Sequence, residues 1–380
     1  MFGNLTDGCR IQSLEIFLGV LSFDQEAVEM KALYFREHGA LDAIQYGDVP
    51  DPVLGPGEVL VRVRACAINH LDIWVRRGWP GLKLEMPHWC GADVAGEVAR
   101  PGEGVTGWET GQRVVVDPGI NTKADEFTRR GDVSVSPGYY VLGEHVRGGA
   151  AEYIAVPHEN LAAMPDDLDF TTAAAPLLVS LAAWRMLIHQ AKVRAGESVL
   201  VVGAGGGVNS MAIQIAKLAG ATVLVVAGNK DKGLRARELG ADVVLDRSRV
   251  DWGREVYKVT GKRGVDVVVD NVGKATLTTS MMAVARGGRI VIIGNTSGPL
   301  AEIDIRYIFG KQISLIGSTM GSHQDFRVVT GLLWEGKLRP VIDRVMPLSA
   351  GKEAYGILER GEQFGKIVLE PQEAVGKSPT

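Results

Sequence analysis

The chain has 380 residues, 46% of them hydrophobic and 23% charged, with a net charge of −4 at pH 7. That length exceeds one ordinary core and predicts two domains, and the composition is that of a globular protein. The weakly acidic balance offers no basic field for nucleic acid or an anionic membrane. Three cysteines (Cys9, Cys66 and Cys90) are too few for a disulfide framework and too scattered for a zinc ribbon, so a reducing, cytoplasmic compartment is expected.

Residues 1–29 stand apart as a leader of unknown role. Their run IFLGVL (16–21) is flanked by acids, has no basic segment ahead of it and is too short to span a bilayer. Met30, at the head of MKALYF, is the better domain start. From there to about Val156, short β-rich runs are broken by Gly and Pro: GPGEVLVRVRACAIN, GADVAGEVARPGEGV, GQRVVVDPG. Val59, Val61 and Val63 alternate with Leu60, Arg62 and Arg64, the period of a half-buried strand. Residues 117–145 keep no apolar period, and an excursion of that length usually carries a function or a ligand.

Beyond about Leu178 the texture changes to apolar runs separated by helical stretches: SVLVV (198–202), TVLVVA (222–227), DVVL (242–245), DVVVD (266–270), RIVII (289–293) and ISLIG (313–317). Such continuous Val/Ile/Leu runs predict a parallel sheet buried on both faces, with right-handed crossovers. After Gly321, a helix, RPVIDRVMPL, a further helix and GKIVLE are expected to rejoin the first domain.

The stretch VLVVGAGGGVNSMAIQIAKLAG places Gly203, Gly205, Gly206 and Gly207 between a strand and a helix whose Val208, Met211, Ala212, Ile215, Ala216 and Ala219 share one face. Glycines let backbone N–H groups approach a pyrophosphate, and the helix N-terminus adds partial positive charge. The pattern has a flaw. Its third glycine falls on Val208 or Asn209, depending on the spacing used, and Asn209 puts bulk where helix and strand pack closely. The second strand ends Val226-Ala227-Gly228-Asn229-Lys230, without the acid that usually binds the NAD ribose, and Asp231 reads as a cap of the next helix. With Asn229, Lys230 and Lys232 at that tip, NADP(H) is favoured over NAD(H). Asn271, Gly273, Gly294, Asn295, Thr296 and Ser318 follow the later strands, on the edge where an open α/β sheet binds ligands.

From about Met30 to Pro371 the chain resembles the medium-chain dehydrogenase/reductase superfamily. The residues that carry the resemblance are GPGEVLVRVRACAINHLDIWVRRG, GADVAGEV, GEGVTGWETGQRV, GGAAEYIAVP, the glycine turn and QFGKIVLEP. The resemblance implies an α/β fold, with a GroES-like, mostly-β catalytic domain (30–178) plus a Rossmann doubly wound parallel sheet (179–317). A return segment (318–372) and a C-terminal tail (373–380) follow, and the active site lies in the cleft. It also implies a small-molecule substrate and a homodimer.

Many members hold a catalytic zinc with a Cys, a His often followed by Glu, and a second Cys. Those positions fall on Asn69, Ala92 followed by Asp93, and Val179, and Asn, Ala and Val supply neither thiolate nor imidazole. INHLDIW and GADVAG resemble instead the zinc-independent quinone oxidoreductase branch, so no metal is expected. A rearranged site from Cys66, His70, His88, Cys90 and Asp93 is not expected either, because a strand-to-turn segment does not make Cys66 and His70 converge. Relatives also close the 117–145 excursion with four cysteines around a structural zinc, at positions that become Thr122, Asp125, Thr128 and Ser136. The lobe is expected to hold itself by turns and polar contacts, using Pro118, Gly119, Asp125, Arg129, Pro137 and Gly138, and to be more mobile than its neighbours.

Without a Lewis acid, alcohol oxidation loses its main electrostatic aid, whereas a quinone or enone spreads the developing charge by conjugation. Orientation can then supply roughly 7–11 kcal/mol. The catalytic candidates are Asn69, His70, Asp72 and Trp74, all read as one turn. Asn69 is either a donor to the acceptor carbonyl or a turn residue bonding its own backbone. His70 is either the proton source or a surface residue. Asp72 is read as bonding backbone across the cleft, and Trp74, where quinone oxidoreductase-like relatives often have Tyr, as a stacking surface. The expected activity is hydride transfer from NADPH to a quinone or enone-type carbonyl. The alternatives are an alcohol or aldehyde dehydrogenase of the same superfamily and a non-catalytic NADP(H)-binding protein.

Overall fold

A computed structural model describes residues 29–121 and 123–372. Cys9, the IFLGVL run, Thr122 and the tail 373–380 lie outside the described residues. The first domain opens with β1 (Glu29–Tyr34) and β2 (Gln45–Pro50), an antiparallel pair. Its main sheet uses β3 (Glu58–Ala67), β4 (Asp93–Pro101), β5 (Arg113–Val116), β8 (Tyr153–Pro157) and β9 (Leu161–Ala163). The 117–145 lobe contributes a separate small pair, β6 (Gly119–Asn121) and β7 (Tyr139–Val141).

The Rossmann sheet has six parallel strands: β10 (Ser198–Val202), β11 (Thr222–Ala227), β12 (Val243–Asp246), β13 (Val265–Asp270), β14 (Val284–Ile292) and β15 (Ser314–Gly317). Their order, β12-β11-β10-β13-β14-β15, reverses direction beside β10, so a crevice opens above the carboxyl ends of β10 and β13. The chain then returns. β16 (Ile342–Pro347) and β17 (Lys366–Glu370) complete the first sheet in the order β16-β17-β3-β4-β5-β9, with β8 also on β3. Val368 therefore pairs with Ala67, which brings the start of β17 and the end of β3 side by side.

The helical run Phe170–Gln190 is long and apolar enough to cross a membrane by composition, but 78% of its apolar window is buried inside the fold. Leu177, Leu181, Met186 and Leu187 are among the most deeply buried large side chains, each contributing about 1.5–3 kcal/mol. They join Ala65, Ala67, Ala92 and Ala95 of the first domain to Val199, Val201 and Met211 of the second in one core cluster. The alternation read along Val59, Val61 and Val63 holds at Arg62 and Arg64, which are partly buried, but not at Leu60, which is buried with the valines. It ends at Ala65–Ala67, where β3 passes beneath the second domain and is buried on both faces.

The lobe holds itself without thiols. Asp125 caps the short helix Glu126–Arg129: Thr128 N–H donates to its Oδ1 (2.9 Å), and its own N–H donates to Thr128 Oγ1 (2.8 Å). Ser136 Oγ donates to Asp125 Oδ2 (2.7 Å) and accepts from Gly138 N–H (3.0 Å). Three of the four positions read as erased zinc ligands therefore still converge, joined by hydrogen bonds centred on one carboxylate. The lobe is pinned at its base by Asn160, whose Nδ2 donates to the carbonyls of Asp117 (2.8 Å) and Gly119 (2.9 Å). It is pinned to the return segment by His323, 2.6 Å from Asp117 Oδ2.

Candidate active site

A cavity of about 960 Å³ lies between the two domains, and the glycine turn forms one wall. Gly203 has φ +99°, a conformation that needs glycine. Gly206 caps the helix Gly207–Leu218 with no side-chain acceptor, so the cap leaves the first backbone N–H groups of that helix open to an anion. A Cβ on Gly205 would sit 3.2 Å from Lys232 Nζ and from the Gln363 carbonyl, a tight approach that a side chain could make only if these neighbours shifted. These features fit a dinucleotide pyrophosphate.

Asn209 is not bulk merely tolerated. It lies in the first turn of the helix, buried, and its Nδ2 donates to the carbonyls of Val202 (3.0 Å) and Gly203 (2.8 Å). Its Oδ1 accepts from Asn271 Nδ2 (2.8 Å), and Asn271 Oδ1 accepts from Ile293 N–H (3.3 Å). One amide pair thus ties the ends of β10, β13 and β14 together around the crevice.

At the far end of the cavity, Asn229 serves as the helix cap, accepting from Lys232 N–H (2.9 Å), so the cap is Asn229 and not Asp231. Neither Asn229 nor Lys230 lines the cavity, whereas Lys232 does, its Nζ donating to the Gly361 carbonyl (2.7 Å). Arg247, which the sequence reading missed, also lines it: a Cβ on Gly228 would lie 3.7 Å from its Nε. Its signal was a basic residue just past the third strand, whose tip adjoins the second. Gly203, Gly205, Gly206, Gly207, Val208, Asn271, Gly294, Asn295 and Thr296 all line the cavity, but Gly273 and Ser318 do not. Gly273 (φ +83°) turns the chain so that its N–H and that of Val272 meet Asp270 Oδ1.

The four catalytic candidates lie on the helix His70–Arg77 and its cap Asn69, a helix rather than a turn. Asn69, His70 and Trp74 line the cavity; Asp72 does not. Asp72 is buried behind them, accepting from Asn69 N–H (2.9 Å) and Tyr355 OH (3.3 Å) instead of reaching across the cleft. Burial pushes its carboxyl up to about 7. Burial, assisted by the nearby Lys366, pushes His70 below its usual range, so this imidazole is neutral at pH 7 and is a poor proton source. Trp74 reaches the crevice edge, its Cη2 3.5 Å from where a Cβ on Gly294 would be.

The corner where a catalytic zinc would sit is filled differently. Lys366 Nζ donates to Asn69 Oδ1 and to Asp93 Oδ2 (2.7 Å), with the two charged side chains 4% and 0% exposed. An ammonium only donates, so Asn69 must face it with oxygen, which orients the carboxamide. Both amide hydrogens then point inward, to Asp93 Oδ2 (2.9 Å) and more weakly to the Ala67 carbonyl (3.4 Å). The other Asp93 oxygen accepts from Leu178 N–H (2.5 Å). Both Asn69 amide hydrogens are thus engaged within the protein, which favours the second of the two readings left open from sequence, a residue bonding nearby backbone, over a donor to an acceptor carbonyl. Ala92 and Val179 supply no donor atoms, Asp93 is fully engaged, and no group of His, Cys, Asp or Glu among the described residues could hold a metal. A zinc ion does not fit this corner. Cys66 and Cys90 are buried free thiols, pushed up by burial, and form no rearranged site.

Glu144, a second residue missed from sequence, lines the cavity beside Val141. Burial raises its carboxyl to about 7, and the nearest partner, His145 Nδ1, is 3.8 Å away and already accepts from Val141 N–H. It is a carboxylic acid of useful strength facing the cavity.

Comparisons with known proteins agree with this architecture. Residues 55–166 match the alcohol dehydrogenase GroES-like domain, and residues 207–335 the family described as zinc-binding dehydrogenase. A crotonyl-CoA reductase of Streptomyces avermitilis is 29% identical, over 94% of this chain and 89% of its own length. Quinone oxidoreductase of Homo sapiens is 29% identical, over 90% of this chain and 97% of its own. The crystal structure of an NAD-dependent alcohol dehydrogenase is 42% identical with a TM-score of 0.87, covering 90% of this chain and 100% of that one. With its GroES-like domain, its Rossmann sheet and these full-length relatives, the chain belongs to the medium-chain dehydrogenase/reductase superfamily and is an oxidoreductase.

Proposed function

We propose that the protein reduces a conjugated carbonyl compound, a quinone or an enone, with NADPH and without zinc. The observation that carries this reading is the Lys366–Asn69–Asp93 cluster: the corner a catalytic zinc would need is closed by an ion pair and an amide, and Ala92 and Val179 bring no side-chain donor atom to it. The bound cofactor supplies a hydride to the acceptor. Gly203, Gly205, Gly206 and the N-terminus of Gly207–Leu218 would hold its pyrophosphate, and Arg247 with Lys232 would take the 2′-phosphate. That two-cation end, with no acid at the tip of β11, supports NADPH over NADH.

Trp74 would flank the acceptor, and Glu144 would return the proton that the reduction consumes, a role for which His70, whose acid form burial disfavours at neutral pH, is less suited. Two of the relatives carry names of conjugated acceptors, crotonyl-CoA and quinone. The alcohol dehydrogenase reading draws on the 42% identical structure, but it asks for a Lewis acid that this corner does not hold.

The test combines metal analysis with cofactor and substrate assays. The expected result is less than stoichiometric zinc, tighter NADPH than NADH binding by fluorescence titration, and chelator-resistant NADPH oxidation on a quinone and enone panel. One equivalent of tightly bound zinc, or chelator-sensitive turnover of a simple alcohol, would overturn it.

A further inference from the structure

We propose that His323 is a positioning residue for this site: its bond to Asp117 holds the cavity wall of Thr319 and Met320 in register with the lobe base that carries Val141 and Glu144. The proposal rests on the reductase reading above. After β15 the chain crosses from the Rossmann sheet back to the first domain, and on the way Thr319 and Met320 line the cavity. Met320 is buried and has φ +45°, a left-handed backbone that residues other than glycine rarely adopt. Such a conformation is costly on its own and persists only where its surroundings over-determine it.

Those surroundings lie immediately downstream. Gly321 packs so closely that a Cβ there would run into Leu181, and its carbonyl accepts from Tyr139 OH (3.2 Å). Ser322 caps the helix His323–Trp334, accepting from Asp325 N–H at its Oγ (3.1 Å) and donating its own N–H to Asp325 Oδ2 (2.9 Å). Asp325 Oδ1 in turn lies 2.7 Å from His189 Nε2, on the helical run that joins the two domains. His323 Nδ1 lies 2.6 Å from Asp117 Oδ2. The other Asp117 oxygen accepts from Gly119 N–H (3.0 Å), and a carboxylate only accepts, so His323 is the donor.

Two of these anchors, Tyr139 and Asp117, belong to the lobe. Tyr139 opens β7, whose last residue Val141 lines the cavity, and Glu144 N–H donates to the Val141 carbonyl (3.1 Å). Asp117 is fixed from its other side, its N–H donating to the Asn160 carbonyl (2.7 Å), so the carboxylate cannot shift without the lobe base. The Asp117 side chain is 4% exposed, which shields the bond from water. His323 is therefore a strut between two walls of one cavity, the crossing segment on one side and the strand that leads to Glu144 on the other. Where an acid must meet an acceptor held against the cofactor, a small error between those walls costs rate before it costs cofactor affinity.

The test compares H323L with H323N, whose Nδ2 can donate where the imidazole Nδ1 did. In H323L, kcat on a quinone or enone should fall about tenfold or more while the NADPH Kd moves less than about threefold. Amides of Tyr139–Val141, far in sequence from the substituted helix, should lose protection in native-state hydrogen exchange. H323N should recover most of both. H323L alone strands the Asp117 carboxylate, so H323L/D117N is read beside it and should lose kcat equally. An H323L protein that merely melts lower, with wild-type kcat and unchanged exchange at Tyr139–Val141, would overturn the proposal. Equal defects in H323L and H323N would do the same, as would recovery of kcat in H323L/D117N or a defect confined to NADPH affinity. Wild-type inactivity on every quinone and enone would sink the reductase reading instead, and the exchange comparison would still read the strut.

Discussion

Asn209→Gly restores the glycine that dinucleotide-binding turns usually place there, and it should damage this protein. The wild-type amide makes three buried hydrogen bonds, at 3.0, 2.8 and 2.8 Å, to Val202, Gly203 and Asn271. At a net value of about 1 kcal/mol each, their loss costs about 3 kcal/mol, and glycine in a helix adds a few tenths. Two strand-end carbonyls and the Asn271 amide are left seeking partners in a place 6% exposed at Asn209. The midpoint of thermal unfolding should fall on the order of 5–10 °C for a domain of this size. Amides of the turn at Gly203–Gly207 should exchange roughly a hundredfold faster in native-state hydrogen exchange. Because Asn271 depends on the same bond, N209G/N271A should be less destabilised than the sum of the single variants. An N209G protein that melts within about 1 °C of wild type and keeps its turn protection would refute the reasoning.

Other outcomes follow from the site. R247A should weaken NADPH binding about tenfold or more and leave NADH nearly unchanged, since only the former carries a charge for the guanidinium; equal losses for both cofactors would remove Arg247 from the 2′-phosphate site. With a carboxyl raised to about 7, Glu144 donates its proton below that value, so kcat/KM should fall as pH rises through about 7, and E144Q should abolish that limb along with much of the rate. An unchanged limb in E144Q would assign the proton elsewhere. In the lobe, hydrogen bonds hold the Asp125 carboxyl below its ordinary value. Its folded pKa is depressed, so its stabilisation is present above the unfolded value near 4 and is lost as pH falls through the lower folded value. D125A should therefore raise amide exchange across residues 123–138 at neutral pH, and acidification should do the same to wild type; high, pH-independent protection in both would refute the network.

Much of the site could be read from local sequence because its chemistry is local. A run of glycines between a strand and a helix has few uses, and the replacement of Cys and His by Asn69, Ala92 and Val179 is a statement about donor atoms that needs no coordinates. Asp72 was misplaced because its partner is Tyr355, on a helix 283 residues away. Lys230 and Lys232 looked equivalent in sequence, yet on a helix two positions apart they point to different sides, and only Lys232 meets the cavity. Lys366 escaped notice inside a strand motif, where a lysine is ordinarily a solvent-facing residue.

The sequence by itself determined the layer architecture, the glycine turn between strand and helix, and the absence of thiolate or imidazole at Asn69, Ala92 and Val179, since apolar periodicity, glycine conformational freedom and side-chain chemistry belong to residues and their near neighbours. Only the tertiary structure decided which side chains meet at that corner and in the lobe. β17 pairs with β3 and so delivers Lys366 to Asn69 across 297 residues, and the lobe folds Ser136 back onto Asp125. Such pairings arise because buried charges and amides must find partners wherever the packed sheets leave them, and no local pattern records where that will be.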